Sequence, residues 1–114
     1  MNYIVFDLEW NQCPYGKGQE NERIPFEIIE IGAVKLNSER QIIDQYQVLI
    51  QPRVYKKLHH RTREIIQMDM KLLEREGIPF YRAVKEFLKW CGEDVLFCSW
   101  GNSDLLELQR NMKY

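Results

Sequence analysis

Three apolar runs rich in β-branched and aromatic residues fill most of the first 50 positions, and they limit the folds that this chain can adopt. The runs at Tyr3–Leu8, Phe26–Leu36 and Ile42–Ile50 each predict a β-strand. Residues 37–40 have the composition of a tight turn, so the second and third strands are expected to pair antiparallel. The predicted sheet therefore contains an antiparallel pair joined by a short turn.

The second half of the chain is predicted to be mainly helical, with one further strand. Proline suits the first turn of a helix and glycine suits its end, which favours a helix from Pro79 to Trp90 before Gly92. Its apolar residues recur at helical spacing on one face: Phe80, Ala83, Val84, Phe87, Leu88 and Cys91. The other predicted elements are a polar loop at Trp10–Pro25, short helices around Arg63–Met68 and Lys71–Arg75, a strand at Val95–Ser99, and a last helix from near Ser103 that carries Leu105, Leu108 and Met112. Together they predict an α/β fold.

Charge, cysteine content and apolar run length narrow the class of protein. The net charge of -1 argues mildly against a protein that holds nucleic acid mainly through its phosphates, since such binders are usually basic. The odd number of cysteines, without Cys-x-x-Cys spacing, disfavours a disulfide framework or a zinc site. No apolar run approaches the roughly 18 residues of a membrane helix, and the N-terminus does not resemble a signal peptide. We expect a cytoplasmic protein without a membrane partner, in which residues 1–114 belong to a single domain.

Two carboxylates, Asp7 and Glu9, stand at the end of the first predicted strand. Because side chains alternate along a strand, both point to one face while Phe6 and Leu8 point to the other. Their Cα atoms would be about 7 Å apart, a spacing that lets two carboxylates converge on divalent ions. Acids are also common where a strand emerges into water, and the pair alone fits that simpler interpretation better.

A third carboxylate, Asp104, is expected in the first turn of the last helix. The segment at 99–104 (Ser-Trp-Gly-Asn-Ser-Asp) follows a strand and opens a helix, where the helix dipole favours a negative charge. Ordinary helix capping also explains an acid at this position. The carboxylate therefore becomes informative only beside the other two.

The ordered set of three segments is more informative than any one of them. Tyr3-Ile-Val-Phe-Asp7-Leu-Glu9-Trp10, then Glu27-Ile-Ile-Glu30-Ile-Gly-Ala-Val34, then Trp100-Gly-Asn-Ser-Asp104, resembles the DEDD (DnaQ-like, RNase H-like) 3′–5′ exonuclease superfamily, and within it the Eri-type and KapD-like subgroup. The resemblance runs through the whole chain. It implies an RNase H-like mixed sheet, a three-stranded antiparallel meander plus a parallel strand, with flanking helices.

The resemblance also implies a site and a reaction. Asp7, Glu9 and Asp104 would be catalytic and would be three of the four carboxylates that hold two Mg²⁺ or Mn²⁺ ions. The implied reaction is hydrolysis of phosphodiester bonds at the 3′ end of single-stranded RNA or DNA. Contacts to the substrate are implied for Trp10, Asn11 and Met68.

The sequence departs from the family pattern in its later part. The family carries a general base and the fourth carboxylate in a late His-x-x-x-x-Asp segment, whereas His59 and His60 precede Asp104 and lack an aspartate five residues on. We expect a C-terminally incomplete domain that is inactive or weakly active alone, since a general base contributes about 10²–10⁴-fold. An incomplete sheet should expose apolar surface, which predicts a homo-oligomer.

Two features and one alternative function stay open at this point. Glu30 fits either an additional metal ligand or an acid on a polar strand face. Residues 53–63 contain no acid, and they fit either a phosphate-binding surface or a solvated basic face. Their basic residues are Arg53, Lys56, Lys57, His59, His60, Arg61 and Arg63. The alternative function is a non-catalytic nucleic-acid-binding or protein-interaction module, which the missing His-x-x-x-x-Asp favours and the three carboxylates disfavour.

Overall fold

The computed structural model describes residues 1–66, 68–99 and 101–114. Gln67, in the helix predicted around Arg63–Met68, and Trp100, in the predicted 99–104 segment, lie outside the described residues. The elements follow in the order β1 (Asn2–Gln12), β2 (Phe26–Leu36), β3 (Ile42–Leu49), α1 (His60–Ile66), α2 (Met70–Glu76), α3 (Phe80–Cys91), β4 (Val95–Cys98) and α4 (Ser103–Lys113). This order confirms the predicted succession of strands and helices.

The strands form one mixed sheet in the order β3-β2-β1-β4. β1 and β2 pair antiparallel, β2 and β3 pair antiparallel, and β4 lies parallel to β1. In the β2–β3 turn, the Oδ1 atom of Asn37 accepts hydrogen bonds from the backbone N–H groups of Glu39 and Gln41, at 2.9 and 3.0 Å. The sheet is therefore the predicted RNase H-like one, an antiparallel meander with an added parallel strand.

The first strand is longer than the sequence predicts. β1 continues to Gln12, so the loop predicted at Trp10–Pro25 begins later. Pairing with β2 continues through an irregularity after Glu9, and this antiparallel hydrogen bonding keeps the polar end of the run extended. Apolar pattern alone ends the strand too early because it does not detect backbone pairing.

The first helix begins earlier than predicted. α1 starts at His60 rather than near Arg63. The Nδ1 atom of His59 accepts the backbone N–H of Arg61 at 3.1 Å, which satisfies one of the free donors at the helix start. Histidine is an uncommon residue at a helix start, so this boundary is difficult to predict from residue type.

The main hydrophobic core lies between one face of the sheet and α3. The buried residues are Ile4, Phe6, Leu8, Ile28, Ile31, Ala33 and Ile50 on the sheet side, and Phe80, Ala83, Phe87 and Cys91 on α3. The ring centroids of Phe6 and Phe87 are 6.4 Å apart. The spacing predicts Leu88 on the same helical face, but its side chain is about half exposed. The side of α3 that meets the sheet runs through Ala83 and Phe87, which are buried.

The opposite face of the sheet carries polar strand residues. Asp7, Gly32 and Gln47 lie opposite one another on β1, β2 and β3, and the side chains of Asp7 and Gln47 are exposed. A second, smaller apolar cluster around Ile29 and Leu73 attaches α2 to the sheet. Within the described residues, every helix is too short or too polar to cross a membrane.

Candidate active site

Asp7 and Glu9 lie where the sequence places them, on the face of β1 opposite the main core. Asp7 is exposed and Glu9 is partly buried, while Phe6 and Leu8 are buried on the other face. Glu9 is the direct cross-strand partner of Glu30. Strand alternation therefore brings three carboxylates to one polar face.

Asp104 joins this face from the first turn of α4. Its Oδ2 atom accepts the backbone N–H of Leu8 at 3.2 Å, so the carboxylate is attached to β1 between Asp7 and Glu9. Gly101, with a φ of 70°, adopts the left-handed conformation that glycine favours between β4 and α4. The structure thus brings together the three carboxylates that the sequence singles out.

The carboxylates affect one another's protonation. Burial raises the pKa of Glu9, and the nearby charges of Asp7, Glu30 and Asp104 raise it further. Burial also raises the pKa of Asp104; the neighbouring Asp7 adds to this, whereas the hydrogen bond from Leu8 N–H opposes it. A surface that disfavours its own negative charge is one that a bound cation would stabilise.

Glu30 accepts a hydrogen bond from the side-chain amide of Gln47 on β3. An open cleft of about 460 Å³ lies over this part of the sheet. Its lining residues are Asp7, Glu9, Glu30, Gly32, Ala33, Gln45, Tyr46 and Gln47. Glu30 is therefore part of the carboxylate face, although its role as a metal ligand stays a prediction.

The donor chemistry of Asp7, Glu9 and Asp104 fits Mg²⁺ or Mn²⁺, which prefer carboxylate oxygens. In the part of the chain that the structure describes, no three His, Cys, Asp or Glu side chains are grouped closely enough to hold one ion. The donor set suits such ions by residue type, and Asp7 is the exposed member of the three.

Two of the predicted substrate contacts, Trp10 and Met68, lie on apolar clusters near the carboxylates. Trp10 packs on the main core, with its ring centroid 5.8 Å from that of Phe26. Met68 packs on the second cluster, as Ile66 does. Both side chains are partly buried, and their contact with a nucleotide stays a prediction.

The third predicted contact, Asn11, is fully buried. Its Nδ2 atom donates to the carbonyl of Lys57 at 3.0 Å, and its Oδ1 atom accepts the N–H of His59 at 2.8 Å. The amide therefore fixes the segment before α1 in this conformation. A direct contact between Asn11 and substrate stays a prediction.

Sequence reasoning missed two buried polar residues that position the site. Glu27 accepts the backbone N–H groups of residues 53, 54 and 55 at 2.8 to 3.1 Å. Asn111 of α4 accepts the N–H of Ile28 at 3.0 Å and donates to the carbonyl of Phe26 at 2.9 Å. Glu27 and Asn111 thus bond to backbone groups that lack a backbone partner. In the sequence, the only sign of these roles is a polar residue among apolar neighbours.

Several solved structures of nucleases share the architecture of this chain. The nuclease domain of 3′hExo, a DEDDh family member with bound rAMP, is 20% identical to this chain with a TM-score of 0.79, and the match covers 98% of this chain and 58% of that one. The cell-death related nuclease CRN-4 is 16% identical with a TM-score of 0.75, over 98% of this chain and 39% of that one. E. coli exonuclease I in complex with a dT13 oligonucleotide is 10% identical with a TM-score of 0.73, over 98% of this chain and 24% of that one.

No family model matches the chain, and no curated protein matches it. The structural neighbours confirm the predicted RNase H-like fold, which this chain shares with a DEDDh nuclease domain and other nucleases. This chain spans about half the length of two of the solved structures that it resembles, 58% of the 3′hExo nuclease domain and 52% of a full-length 3′-exonuclease.

Proposed function

We propose that this chain carries the metal-binding half of a 3′–5′ exonuclease that hydrolyses phosphodiester bonds at the 3′ end of single-stranded RNA or DNA. The observation that carries the proposal is the hydrogen bond from Leu8 N–H to Asp104. It joins α4 to β1 at the Asp-x-Glu pair, on a fold shared with 3′-exonucleases. A nuclease is the class that the fold supports; the direction of cleavage and the single-stranded substrate belong to the proposal.

Asp7, Glu9 and Asp104 would hold the divalent ions, Mg²⁺ or Mn²⁺. Bound there, such ions would activate a water and stabilise the leaving 3′-oxygen. The chain's own contribution is to keep the three carboxylates close despite their repulsion, through burial of Asp104 and its backbone hydrogen bond. Mutual repulsion of the acids favours cation binding over the metal-free state.

The terminal nucleotide would occupy the cleft of about 330 Å³ next to Glu9. Trp10 borders this cleft on the β1 side, and Ile65 and Ile66 border it on the α1 side. A cleft bordered by an aromatic ring on one side and aliphatic side chains on the other suits a stacked base. Met68 packs on the same apolar cluster as Ile66 and would support that wall, while Asn11 would hold the segment that leads into α1.

Calorimetric titration with Mn²⁺ tests the proposal without requiring catalysis. We expect the wild-type chain to bind Mn²⁺ and Asp7→Asn to lose most of that binding, because the substitution removes one charged ligand. Glu39→Gln, in the β2–β3 turn at the far end of the strand pair, is the matched control and should bind like wild type. Absence of binding by wild type up to millimolar Mn²⁺, or equal loss in both variants, would contradict the metal site.

Hydrolysis by the chain alone is expected to be absent or slow. His59 and His60 are the chain's histidines; neither reproduces the His-x-x-x-x-Asp pattern, and a general base contributes about 10²–10⁴-fold. Release of mononucleotides from a 5′-labelled oligonucleotide in Mn²⁺, compared with Asp7→Asn, measures this residual activity. Rapid turnover by wild type would show that the chain supplies its own base.

The second candidate is a non-catalytic binding module with the same fold. It requires no metal, so wild type that binds oligonucleotide but not Mn²⁺ would favour it. The carboxylate face argues against it, because clustered acids repel phosphates unless cations lie between them.

Self-association is a further part of the proposal. β4 is an edge strand in the described sheet, and its Leu96 and Phe97 are about half exposed on opposite faces. Edge strands with apolar side chains favour pairing with another strand. Light scattering should give a mass above one chain; a stable monomer at high protein concentration would contradict this.

A further inference from the structure

Three clefts form a continuous series that begins at the carboxylate face. The first contains Glu9 and Arg61. Gln12 lines both the first and the second cleft, and His60 lines both the second and the third. The cations along the series are, in order, Arg61, Lys17, and the pair Lys57 and Arg63.

These four cations are free to bind an anion. Among the ion pairs of residues 1–66, 68–99 and 101–114, none includes any of them. The acids that border the second and third clefts already accept backbone hydrogen bonds: Glu20 from Gly18 N–H at 3.1 Å and Asp69 from Leu72 N–H at 2.8 Å. With four cations against the three acids Glu9, Glu20 and Asp69, the lining of the series carries a net charge of +1 on a chain whose total charge is -1.

The segment that contains Lys57 and His59 is held in position by β1, the strand that carries Asp7 and Glu9. Asn11 lies two residues after Glu9 and bonds to the backbone of both Lys57 and His59. Its full burial excludes water as a competing partner. The position of Lys57 relative to the carboxylates is thus set by β1 itself, whereas Lys17 lies in the loop that follows β1.

Three flat side chains lie at the second and third clefts or beside the Lys57 ammonium there. The rings of His59 and His60 stack with centroids 4.3 Å apart. The ring of Tyr15 is about half exposed, and the Lys57 ammonium lies 5.6 Å from its centroid. Cations interleaved with exposed rings are the arrangement that binds single-stranded nucleic acid without base specificity.

We propose that this series of clefts is the path of a single strand upstream of its 3′ end, with backbone phosphates on Lys17, Lys57 and Arg63 and with Asn11 as the positioning residue. The inference rests on the proposed exonuclease function, which places the 3′ end at the carboxylates. It adds the direction in which the rest of the strand leaves the site and the residues that hold it.

Fluorescence anisotropy with a labelled ten-nucleotide oligo(U), in EDTA over a series of salt concentrations, tests the path. The variant Lys17→Ala/Lys57→Ala/Arg63→Ala should bind at least tenfold more weakly than wild type at low salt. The slope of log K against log salt should lose about 2 in magnitude, since each phosphate contact on a single strand contributes about 0.7.

The matched control is Arg82→Ala/Lys85→Ala/Lys89→Ala, which removes the same number of positive charges. These residues lie on α3, which covers the other face of the sheet. This control should keep the wild-type slope. Equal losses in the two variants, no loss in the test variant, or displacement of the oligonucleotide by deca-glutamate as efficiently as by unlabelled oligo(U) would overturn the path. Oligonucleotide binding in EDTA needs no metal, so a failed Mn²⁺ titration would overturn the exonuclease assignment alone.

Asn11→Ala tests the positioning role. If the variant keeps the wild-type circular dichroism spectrum, the salt slope should fall although every cation is still present. Asn11→Asp retains the acceptor for His59 N–H and should recover part of the slope. A folded Asn11→Ala chain with the wild-type slope would overturn the role of Asn11, and a variant that fails to fold leaves the decision to the cation variants.

Discussion

Helices α3 and α4 differ in the kind of side chain that they bury against the sheet. α3 buries Phe80, Ala83, Phe87 and Cys91 against the main core. α4 buries the polar residues Asp104, Glu107 and Asn111, whereas its Leu105, Leu106 and Met112 are about half exposed. α3 is thus held by apolar area, which tolerates small shifts, whereas α4 adds to the apolar contact of Leu108 the hydrogen bonds of Asp104 and Asn111, which fix its position. The helix that carries the site residue Asp104 is therefore the one positioned by hydrogen bonds.

The largest effect is expected from Phe87→Ala on α3. Phe87 is fully buried and contacts Phe6, Tyr46 and Trp90 through its ring. Truncation of a buried phenylalanine lowers the free energy of unfolding by about 3–5 kcal/mol. Urea denaturation measures the change, and Leu88→Ala, on the exposed side of the same helix, should cost far less. Similar losses in both variants would show that α3 does not pack as described.

The next effect is expected from Asn111→Leu on α4. Leucine has a similar size but leaves Ile28 N–H and the Phe26 carbonyl without their partner. Each unsatisfied buried group costs about 1–3 kcal/mol. Urea denaturation gives the total, and hydrogen exchange at the Ile28 amide should quicken. A leucine variant as stable as wild type would mean that α4 is held by apolar contacts after all.

A smaller effect is expected from the titration of Asp104. Burial raises its pKa in the folded chain, so the protonated form favours folding. That contribution is present below the unfolded-state pKa and is lost as the pH rises through the raised folded pKa. In metal-free buffer, wild type should lose free energy of unfolding as the pH rises and Asp104 ionises, and Asp104→Asn should not show this loss. The loss should be smaller than the one caused by Asn111→Leu. Glu93→Gln, an exposed acid, serves as control; parallel pH profiles for wild type and Asp104→Asn would refute the shift.

The smallest effect is expected from Met112→Gln. Met112 is an apolar residue of α4 that is about half exposed, so a polar replacement removes little buried area. The free energy of unfolding should change within about 0.5 kcal/mol. A loss above 1 kcal/mol in thermal or urea denaturation would show that the apolar side of α4 is covered in solution.

Much of the sheet and the carboxylate face could be predicted from sequence. Strand alternation placed Asp7 and Glu9 together, and the strand-to-helix pattern placed Asp104 at a helix start. The end of β1 was missed because backbone pairing, rather than apolar pattern, extends it to Gln12. Of the apolar residues predicted on α4, Leu108 packs on the main core, whereas Leu105 and Met112 are about half exposed and the hydrogen bonds of Asn111 were missed.

The roles of Glu27 and Asn11 lay beyond sequence reasoning for a different reason. Their partners are backbone groups 26 to 48 positions away in the chain, and backbone groups carry no residue-type signal. A polar residue among apolar neighbours indicates that a partner exists, but only the fold identifies it.

The hydrogen bond between Leu8 N–H and Asp104 spans 96 positions of the chain. Contacts of such high sequence separation form late in folding, because the intervening chain must first be ordered. The carboxylate face should therefore be complete only after the sheet is in place. Sub-global opening of α4 would separate Asp104 from the other acids while β1 to β3 stay folded, so competence of the site would follow the local stability of one helix rather than that of the whole domain.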